Sequence, residues 1–528
     1  MQTQEFRGLS PAEFFYRNRE IAGFSNPARA LYQTVREFVE NSLDAADMHG
    51  ILPSVGVYIT RAEENVYTVT VEDNGIGVPP QYIPQAFGQV LFSSKYKLRQ
   101  SRGMFGLGAK MAILYGQITT GRPVEVYSSP VNSNKIYYFK LSIDIKNNKP
   151  IILEQKIWRK SSRWHGTIIS VTLAGDWSRA KAKIYEYIRR TAVIAPYAEI
   201  LFRDPDNNVF YYPRSINVVP RPPKEVKPHP KGIDLEYLKM LINATDRKLS
   251  LREFLIKSFQ SIGEKTADAF LEFAGFNPNT SIGKLTSKDI ERLLKYLQEY
   301  DKFKPPRADA LSPLGPEVIE AGLKRFFEPD FVKAITRRPS SYQGHPFIVE
   351  IGIAYGGRIP ASSEPILLRY ANKIPLLYDE KTDVAWKIID PRRFDWRNYK
   401  VEFPAPLVVF VHICSTKIPY KGVGKESIAE IPEIEYEIRN GLREVARSLR
   451  SYLTGVEKER ELERKIITLL RYVPEIARGL SLLAKHPEHT DKAPPQELIE
   501  DKLLSIIREK LSLPRITRQL LEKIVLPE

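Results

Sequence analysis

The chain has 528 residues, of which 43% are hydrophobic, enough for about three or four domains with apolar cores. No apolar stretch approaches the length of a membrane span, and the amino terminus lacks a signal-peptide pattern. The single cysteine, Cys414, excludes an intrachain disulfide and a cysteine-based zinc cluster. We therefore expect a cytoplasmic protein without membrane contact. The formal net charge of +16 favours a polyanionic partner, first of all nucleic acid, although solubility in a salty cytoplasm would also account for it.

The first informative element is an amphipathic helix predicted over residues 36–47. Glu37, Asn41 and Asp44 fall on one polar stripe of this helix. A carboxylate can act as general base toward a water, and an amide oxygen one turn later can ligate a hard cation such as Mg²⁺. A solvated helix face is the alternative interpretation. The opposite side is predicted to pack on a core through its apolar residues, which are Leu31, Val35, Phe38, Val39, Leu43 and Ala46.

The second element is a strand that ends in two glycines. Apolar and polar residues alternate over residues 65–72, which predicts a half-buried strand running into Asp73-Asn74-Gly75-Ile76-Gly77. Glycines there allow the backbone to approach a ligand closely. The carboxylate of Asp73, held at a strand end, can accept a hydrogen bond from an exocyclic amine such as that of adenine. The alternative is an ordinary Asn-Gly turn.

Two further motifs follow in the chain. Closely spaced glycines over residues 103–110 open a helix predicted over residues 107–115, and backbone N–H groups at a helix start can hold phosphate. The pattern is neither a Walker loop nor a dinucleotide fingerprint. Residues 93–102 are polar and basic, which is typical of a lid over polyphosphate or of a solvated loop. Gly166-Thr167 precedes a strand predicted over residues 168–173, where the hydroxyl can reach a base or a bound water.

The order of these four motifs resembles the Bergerat fold of the GHKL ATPases, which include gyrase, heat-shock chaperones, histidine kinases and MutL. The resemblance implies ATP and Mg²⁺ as cofactors, with Glu37 as the base that activates water and Asn41 as the metal ligand. It also implies that Asp73 binds the adenine amine, with Gly77 and Thr167 supporting the base. Further ATP contacts are expected from Asp44, Lys95, Gly103, Met104, Phe105, Gly106, Leu107, Gly108, Ala109 and Lys110.

Residues 10–24, together with the motifs at residues 41–47 and 105–111, closely resemble the B-subunit family of archaeal topoisomerase VI, a type IIB DNA topoisomerase. The resemblance implies a chain that dimerises when ATP binds and captures double-stranded DNA. It also implies a separate A subunit that cuts the DNA, in a heterotetramer of two A and two B chains that relaxes supercoils and decatenates DNA. The alternatives are a MutL-like clamp in mismatch repair and a GHKL chaperone.

The absence of cleavage motifs agrees with a separate cutting subunit. The chain has no Glu-Gly-Asp cluster of the kind that holds Mg²⁺ for DNA cleavage. None of its 27 tyrosines lies in a context typical of a nucleophile that attacks DNA. We therefore expect ATP hydrolysis in this chain and strand cleavage in another polypeptide.

The predicted fold class is α+β and multidomain. Residues 1–228 are predicted to form an amino-terminal strap and a GHKL α/β sandwich, with a Pro- and Lys-rich linker over residues 221–231 at the domain boundary. Residues 229–306 are predicted as an all-α insert resembling a helix-two-turns-helix module, with helices at residues 234–245, 250–259, 264–274 and 287–300. Its lysines near the turns indicate either phosphate contacts or a spacer with solvated charges; they are Lys257, Lys265, Lys284 and Lys288.

Residues 307–484 resemble the transducer domain of this family, with strands predicted over residues 345–357, 366–378 and 407–414 and a long helix over residues 433–483. The family places a loop lysine on the γ-phosphate, and Lys425 is our choice, with Lys421 as the alternative. Such a cation can distinguish ATP from ADP. Residues 485–528 are predicted as an amphipathic helical segment that either docks a partner or packs on its own chain.

Overall fold

The computed structural model describes residues 8–93, 98–103, 106–422, 425–485 and 494–510. The protein is α+β, as its sequence predicts. The chain divides into two compact units, residues 1–449 and residues 450–528, and every described strand belongs to the first.

The amino-terminal part is built on a mostly antiparallel sheet. Its strands are β1 (Ser54–Glu63), β2 (Val66–Asp73), β3 (Val124–Ser129), β4 (Lys135–Asp144), β5 (Lys149–Arg159), β6 (Gly166–Ala174), β7 (Glu199–Arg203) and β8 (Val209–Tyr212). Their order across the sheet is β5-β4-β3-β6-β2-β1-β7-β8, and β1 and β7 are the parallel pair. Burial alternates along β2, as predicted for a strand with one face on the core.

Helices cover one face of this sheet. They are α1 (Pro11–Arg17), α2 (Pro27–Asp47), α3 (Ile83–Gly88), α4 (Gly108–Thr120) and α5 (Trp177–Ile194). Helix α2 begins at the capping residue Asn26, whose side chain accepts from Arg29 N, and Pro27 occupies its first turn. The predicted apolar side of α2 is confirmed, since Leu31, Val35, Phe38, Val39, Leu43 and Ala46 are all buried.

The helical insert has the four helices that the sequence predicts, with ends that differ by at most one residue. They are α6 (Leu235–Ala244), α7 (Leu251–Ser258), α8 (Glu264–Ala274) and α9 (Ser287–Glu299). Capping boxes start α7 and α9, with Ser250 paired to Glu253 and Thr286 to Asp289. The insert has its own apolar core, centred on Leu238, Phe254, Phe270, Leu293 and Leu297.

The next part is a second sheet with helices packed on it. Its elements are α10 (Pro316–Phe327), β9 (Phe331–Thr336), β10 (Ser340–Tyr342), β11 (His345–Tyr355), β12 (Ile366–Ala371), β13 (Ile374–Pro375), α11 (Val384–Ile389) and β14 (Leu407–Ser415). The order is β10-β11-β14-β12-β13, with β9 paired to β11 and with β12 parallel to β14.

One predicted strand of this sheet is wrong. The stretch 366–378 is not continuous, because the chain turns at Asn372 and Lys373, whose φ angles are +47° and +68°. Two successive residues in the left-handed region reverse the chain, so that β13 pairs back on β12. The apolar residues on both sides did not indicate this turn.

The long helix is confirmed as α12 (Pro432–Ala484), which contains Pro474, and α13 (Gln496–Lys510) follows it. The remainder of the predicted carboxy-terminal amphipathic run, residues 511–527, lies outside the described residues.

Candidate functional site

Helix α2 places Glu37 and Asn41 one turn apart, and both side chains are half-buried. The Oε1 atom of Glu37 accepts a hydrogen bond of 2.9 Å from Gln33 Nε2, one turn earlier. Because the opposite side of α2 is anchored in the core, the stripe that carries Glu37 and Asn41 is held in a fixed orientation. The carboxylate of Glu37 and the carboxamide of Asn41 therefore lie on the same face of the helix.

The first residue of α4 lies directly against Glu37. A Cβ atom on Gly108 would lie 1.7 Å from Glu37 Oε2, so a larger residue here would displace this carboxylate. Free N–H groups and the positive end of the helix dipole are found at a helix start. The contact thus places a carboxylate beside the backbone donors at the start of a helix.

Asp73 is the centre of a second, buried cluster at the end of β2. Its Oδ1 atom accepts from Gly75 N at 2.9 Å and from Thr167 N at 3.1 Å, and its Oδ2 atom accepts from Ser42 Oγ at 3.0 Å. Burial raises the pKa of Asp73 to about 6, against the opposing effect of these three hydrogen bonds. Asp73 and Thr167, which are 94 positions apart, are in direct contact.

Gly77 lies beside the same cluster in a conformation that favours glycine. Its φ is +71°, and a Cβ atom there would lie 2.4 Å from the carbonyl oxygen of Ser129, the last residue of β3. Ser129 pairs with Gly166, which directly precedes Thr167. The structure therefore brings Asp73, Gly77 and Thr167 to one end of the sheet.

Lys110 closes the described part of the glycine-rich segment. It is buried, and its Nζ atom donates to Phe92 O at 2.6 Å and to Gly106 O at 2.8 Å. The lysine that we expect on phosphate thus also contacts the backbone on both sides of residues 93–105. Leu107 and Ala109 pack against the core, and Gly103 is half-buried. The predicted residues Lys95, Met104 and Phe105 lie outside the described residues.

Asp44 is buried and takes part in an ion pair within the chain. Its Oδ1 atom accepts from Arg102 Nη1 at 3.1 Å, and the same guanidinium donates from Nη2 to Asp47 Oδ2 at 2.8 Å. An ATP contact by Asp44 would therefore involve this pair.

The loop that carries Lys425 contacts the start of α2. Burial raises the pKa of Glu40, while the charges of Arg36 and Lys425 act on that pKa in the opposite direction. Glu426 forms an ion pair with Arg29 near the start of α2. Lys425 itself has a φ of +53°. The second candidate, Lys421, is exposed and donates to Thr382 O, with Glu430 at 3.4 Å.

The sequence motifs did not reveal two of the side chains that contact these residues. Ser42 donates to Asp73, and its position directly after Asn41 in the motif was the available signal. Arg102 forms ion pairs with Asp44 and Asp47 of α2, which precede it by 58 and 55 positions. Nothing in the sequence indicates that this basic residue of a polar segment is buried.

Within the described ranges, no three His, Cys, Asp or Glu side chains are grouped as metal ligands. Glu37 and Asn41 together supply a carboxylate and an amide oxygen. This is a suitable set for Mg²⁺, which uses one or two protein oxygens and fills its other positions with substrate phosphate and water. In the part of the chain that the structure describes, no helix has the length and apolar character needed to span a membrane.

Comparison with protein families gives two matches that divide the chain as the fold does. Residues 26–174 match the histidine kinase-, DNA gyrase B- and HSP90-like ATPases. Residues 306–465 match the transducer of the topoisomerase VI B subunit. Among solved structures, the chain is similar to the N-terminal domain of a DNA repair protein, with a TM-score of 0.38 and 11% identity over 85% of this chain and 99% of that chain, a likeness too weak to support an assignment.

Curated relatives match nearly the whole chain. The B subunit of type 2 DNA topoisomerase 6 from Saccharolobus islandicus is 53% identical over 97% of this chain and 97% of its own length. The corresponding protein of Sulfurisphaera tokodaii is 53% identical over 97% of this chain and 96% of its own length. The chain therefore belongs to the family of type 2 DNA topoisomerase 6 B subunits, with a GHKL-type ATPase domain followed by a transducer domain.

Proposed function

We propose that this chain is the ATP-operated gate of a type IIB DNA topoisomerase, with Glu37 as the general base that activates the attacking water. The contact between Glu37 and Gly108 carries this proposal, because it brings the carboxylate to the helix start where the phosphates would bind. Asn41, one turn after Glu37, would hold Mg²⁺ through its amide oxygen. When bound, the cation would neutralise phosphate charge.

We assign adenine recognition to the cluster around Asp73. The carboxylate would accept a hydrogen bond from the exocyclic amine, while Gly77 lets the backbone approach the ring and the Thr167 hydroxyl supports it. The bonds that Asp73 accepts from Ser42, Gly75 and Thr167 support this role, because they fix the carboxylate before the ligand arrives.

Phosphate binding is assigned to the glycine-rich segment. Gly103, Gly106, Leu107, Gly108 and Ala109 would contribute backbone donors, and Lys110 would hold the two sides of the segment together through Phe92 O and Gly106 O. Contacts from Asp44, Lys95, Met104 and Phe105 remain predictions.

Lys425 is our choice for the cation that contacts the γ-phosphate from the transducer. Its charge acts on Glu40, one turn from Glu37, whereas Lys421 is directed at Thr382 and Glu430. Loss of the γ-phosphate would remove the contact of Lys425 and release the transducer from α2. The γ-phosphate thereby supplies the free-energy difference between the two states of the gate.

Membership of the family supports a proposal for the assembly. We propose that two copies dimerise through their amino-terminal domains on ATP binding, that residues before Glu37 strap across the partner, and that two such chains join two A subunits. Duplex DNA is the substrate, which agrees with the +16 charge and with a place in the cytoplasm. We divide the chain into residues 1–228, 229–306, 307–484 and 485–528, with the last as a docking segment for the A subunit.

Reconstitution with the A subunit tests this function. The pair should relax a supercoiled plasmid only when both subunits, Mg²⁺ and ATP are present, and Glu37→Ala in this chain should abolish relaxation. Exchange of Lys333, an exposed lysine of β9, for Met serves as a control for substitution in the transducer. ATP hydrolysis by a stable complex that never changes the linking number of the plasmid would contradict the proposal.

A further inference from the structure

Lys373 is a buried lysine that belongs to none of the nucleotide-binding motifs. It lies in the turn between β12 and β13, and only 5% of its surface is exposed. Its Nζ atom lies 3.3 Å from Asp47 Oδ2, at the last residue of α2, and 3.1 Å from Ser312 Oγ. Lys373 and Asp47 are 326 positions apart, and their contact joins the second sheet directly to the helix that carries Glu37 and Asn41.

Asp47 is also bound from the segment that leads into the glycine-rich turn. Arg102 Nη2 donates to Asp47 Oδ2 at 2.8 Å, and Tyr197 Oη donates to the same oxygen at 3.0 Å. Arg102 is 3% exposed and also reaches Asp44. Because an unpaired buried charge costs far more than a paired one, Lys373, Asp47 and Arg102 are constrained to keep their mutual positions.

A second set of contacts joins the same two parts of the chain. Gln100 exchanges two hydrogen bonds with the backbone of Ser312, at 3.1 Å and 2.7 Å. Asn372 Nδ2 donates to Ser101 O at 3.3 Å, and Asn372 Oδ1 accepts from Ser415 N at 2.9 Å. Residues 100–102 are therefore bound both to α2 and to the turn of the second sheet.

We infer that Lys373 is a positioning residue that couples the nucleotide-binding site to the transducer by a route separate from Lys425. Any displacement of the end of α2 or of Arg102 must either carry the Asn372–Lys373 turn with it or break a buried ion pair. Lys425 would contact the γ-phosphate itself. Lys373 would instead move with the end of α2 and with residues 100–102, to which its turn is bound. The inference rests on the proposed ATP-driven gate.

The test measures the ratio of DNA strand passages to ATP molecules hydrolysed, in the complete complex with the A subunit. Lys373→Met should lower this ratio about tenfold, the size of a typical coupling between sites, while the KM for ATP changes little. Lys373→Arg, which retains a cation that can reach Asp47, should restore most of the ratio. Lys333→Met is the matched control, since it makes the same exchange at an exposed position of the transducer.

A second variant keeps the test decisive if Lys373→Met fails to fold. The double variant Asp47→Asn with Lys373→Met removes both charges of the buried pair, so neither is left without a partner. Neutral replacement of both members of a buried ion pair is commonly tolerated. A low ratio in a variant that hydrolyses ATP normally supports the inference. A ratio equal to wild type, in either variant, overturns it. Absence of strand passage in the wild-type complex would instead contradict the proposed function.

Discussion

Arg369 Nη1 lies 3.1 Å from Asp383 Oδ2, and each of these side chains is 1% exposed. The same carboxylate oxygen accepts from Ile428 N at 2.8 Å, and the guanidinium donates to Tyr378 O at 2.8 Å and Leu376 O at 3.2 Å. This buried pair therefore fixes the end of the loop that carries Lys425. The position of Lys425 therefore depends on two residues that lie outside the predicted nucleotide-binding motifs.

Removing one charge of this pair should affect both stability and catalysis. Asp383→Asn leaves the Arg369 charge buried without its partner, and we expect it to lower the free energy of unfolding by about 3 kcal/mol, measured by denaturant titration. We also expect kcat for ATP to fall while KM is retained, because Lys425 loses its fixed position. Asp379→Asn, at an exposed residue of the same connection, is the control; equal effects at both positions would contradict the assignment.

The two candidate lysines can be separated by their effect on self-association. Lys425→Met should reduce the preference of dimerisation for a non-hydrolysable ATP analogue over ADP by about tenfold, since the γ-phosphate loses its contact. Lys421→Met should keep the preference, because this lysine binds Thr382 and Glu430. Sedimentation velocity measures both. The reverse pattern would transfer the role to Lys421.

The raised pKa of Asp73 predicts a pH dependence of nucleotide affinity. The carboxylate must be ionised to accept the adenine amine, so affinity should be constant above about pH 7 and should fall by up to about tenfold per unit below the pKa of about 6. The free energy of unfolding should depend on pH in the opposite direction. Because folding raises the pKa of Asp73, its carboxyl group stabilises the folded protein at low pH, and this stabilisation is lost as the pH rises through the folded pKa of about 6. Calorimetry measures the affinity.

Asp73→Asn is the control for this pH dependence. The amide presents its own N–H groups near the adenine amine, so we expect weak nucleotide binding. Because an amide does not titrate, the affinity should no longer vary with pH near 6. Wild-type affinity in this variant, or an unchanged pH profile, would remove Asp73 from adenine recognition.

Gly108→Ala tests the contact between α4 and Glu37. The added methyl group would overlap the Glu37 carboxylate, which is the flexible end of a side chain and can rotate away. We therefore expect nearly unchanged thermal stability but a fall in kcat of about 100-fold, the low end of what general base catalysis contributes. Gly455→Ala, where an added Cβ meets nothing within 4 Å, is the control. Normal turnover by Gly108→Ala would place the base elsewhere.

Local patterns predicted the elements that depend on neighbours in sequence. The helical spacing of Leu31, Val35 and Phe38 indicated α2, and helical spacing of apolar residues likewise indicated the four helices of the insert, all of which the structure has. The motif residues Asp73 and Thr167 were recognised by resemblance, and their direct contact follows from the pairing of β2 with β6.

The buried ionic contacts could not be predicted in the same way. Asp47, Arg102 and Lys373 each look like ordinary surface charges in sequence, and only the approach of the two sheets makes them partners. The turn at Asn372 was missed for a related reason, since β-forming residues surround it and its left-handed backbone serves a tertiary contact with Ser101. Burial of charge depends on the tertiary fold, and a sequence pattern does not record it.

The most direct test of the ATP-operated gate compares nucleotide binding and turnover in Glu37→Gln. This variant keeps the shape of the side chain and its capacity to pair with Gln33, but it cannot accept a proton from water. We predict ATP affinity close to wild type, stable ATP-dependent dimers, and turnover lowered by at least about 100-fold. Turnover close to wild type, with the same dimers forming and opening, would contradict the role of Glu37 and with it the central mechanism.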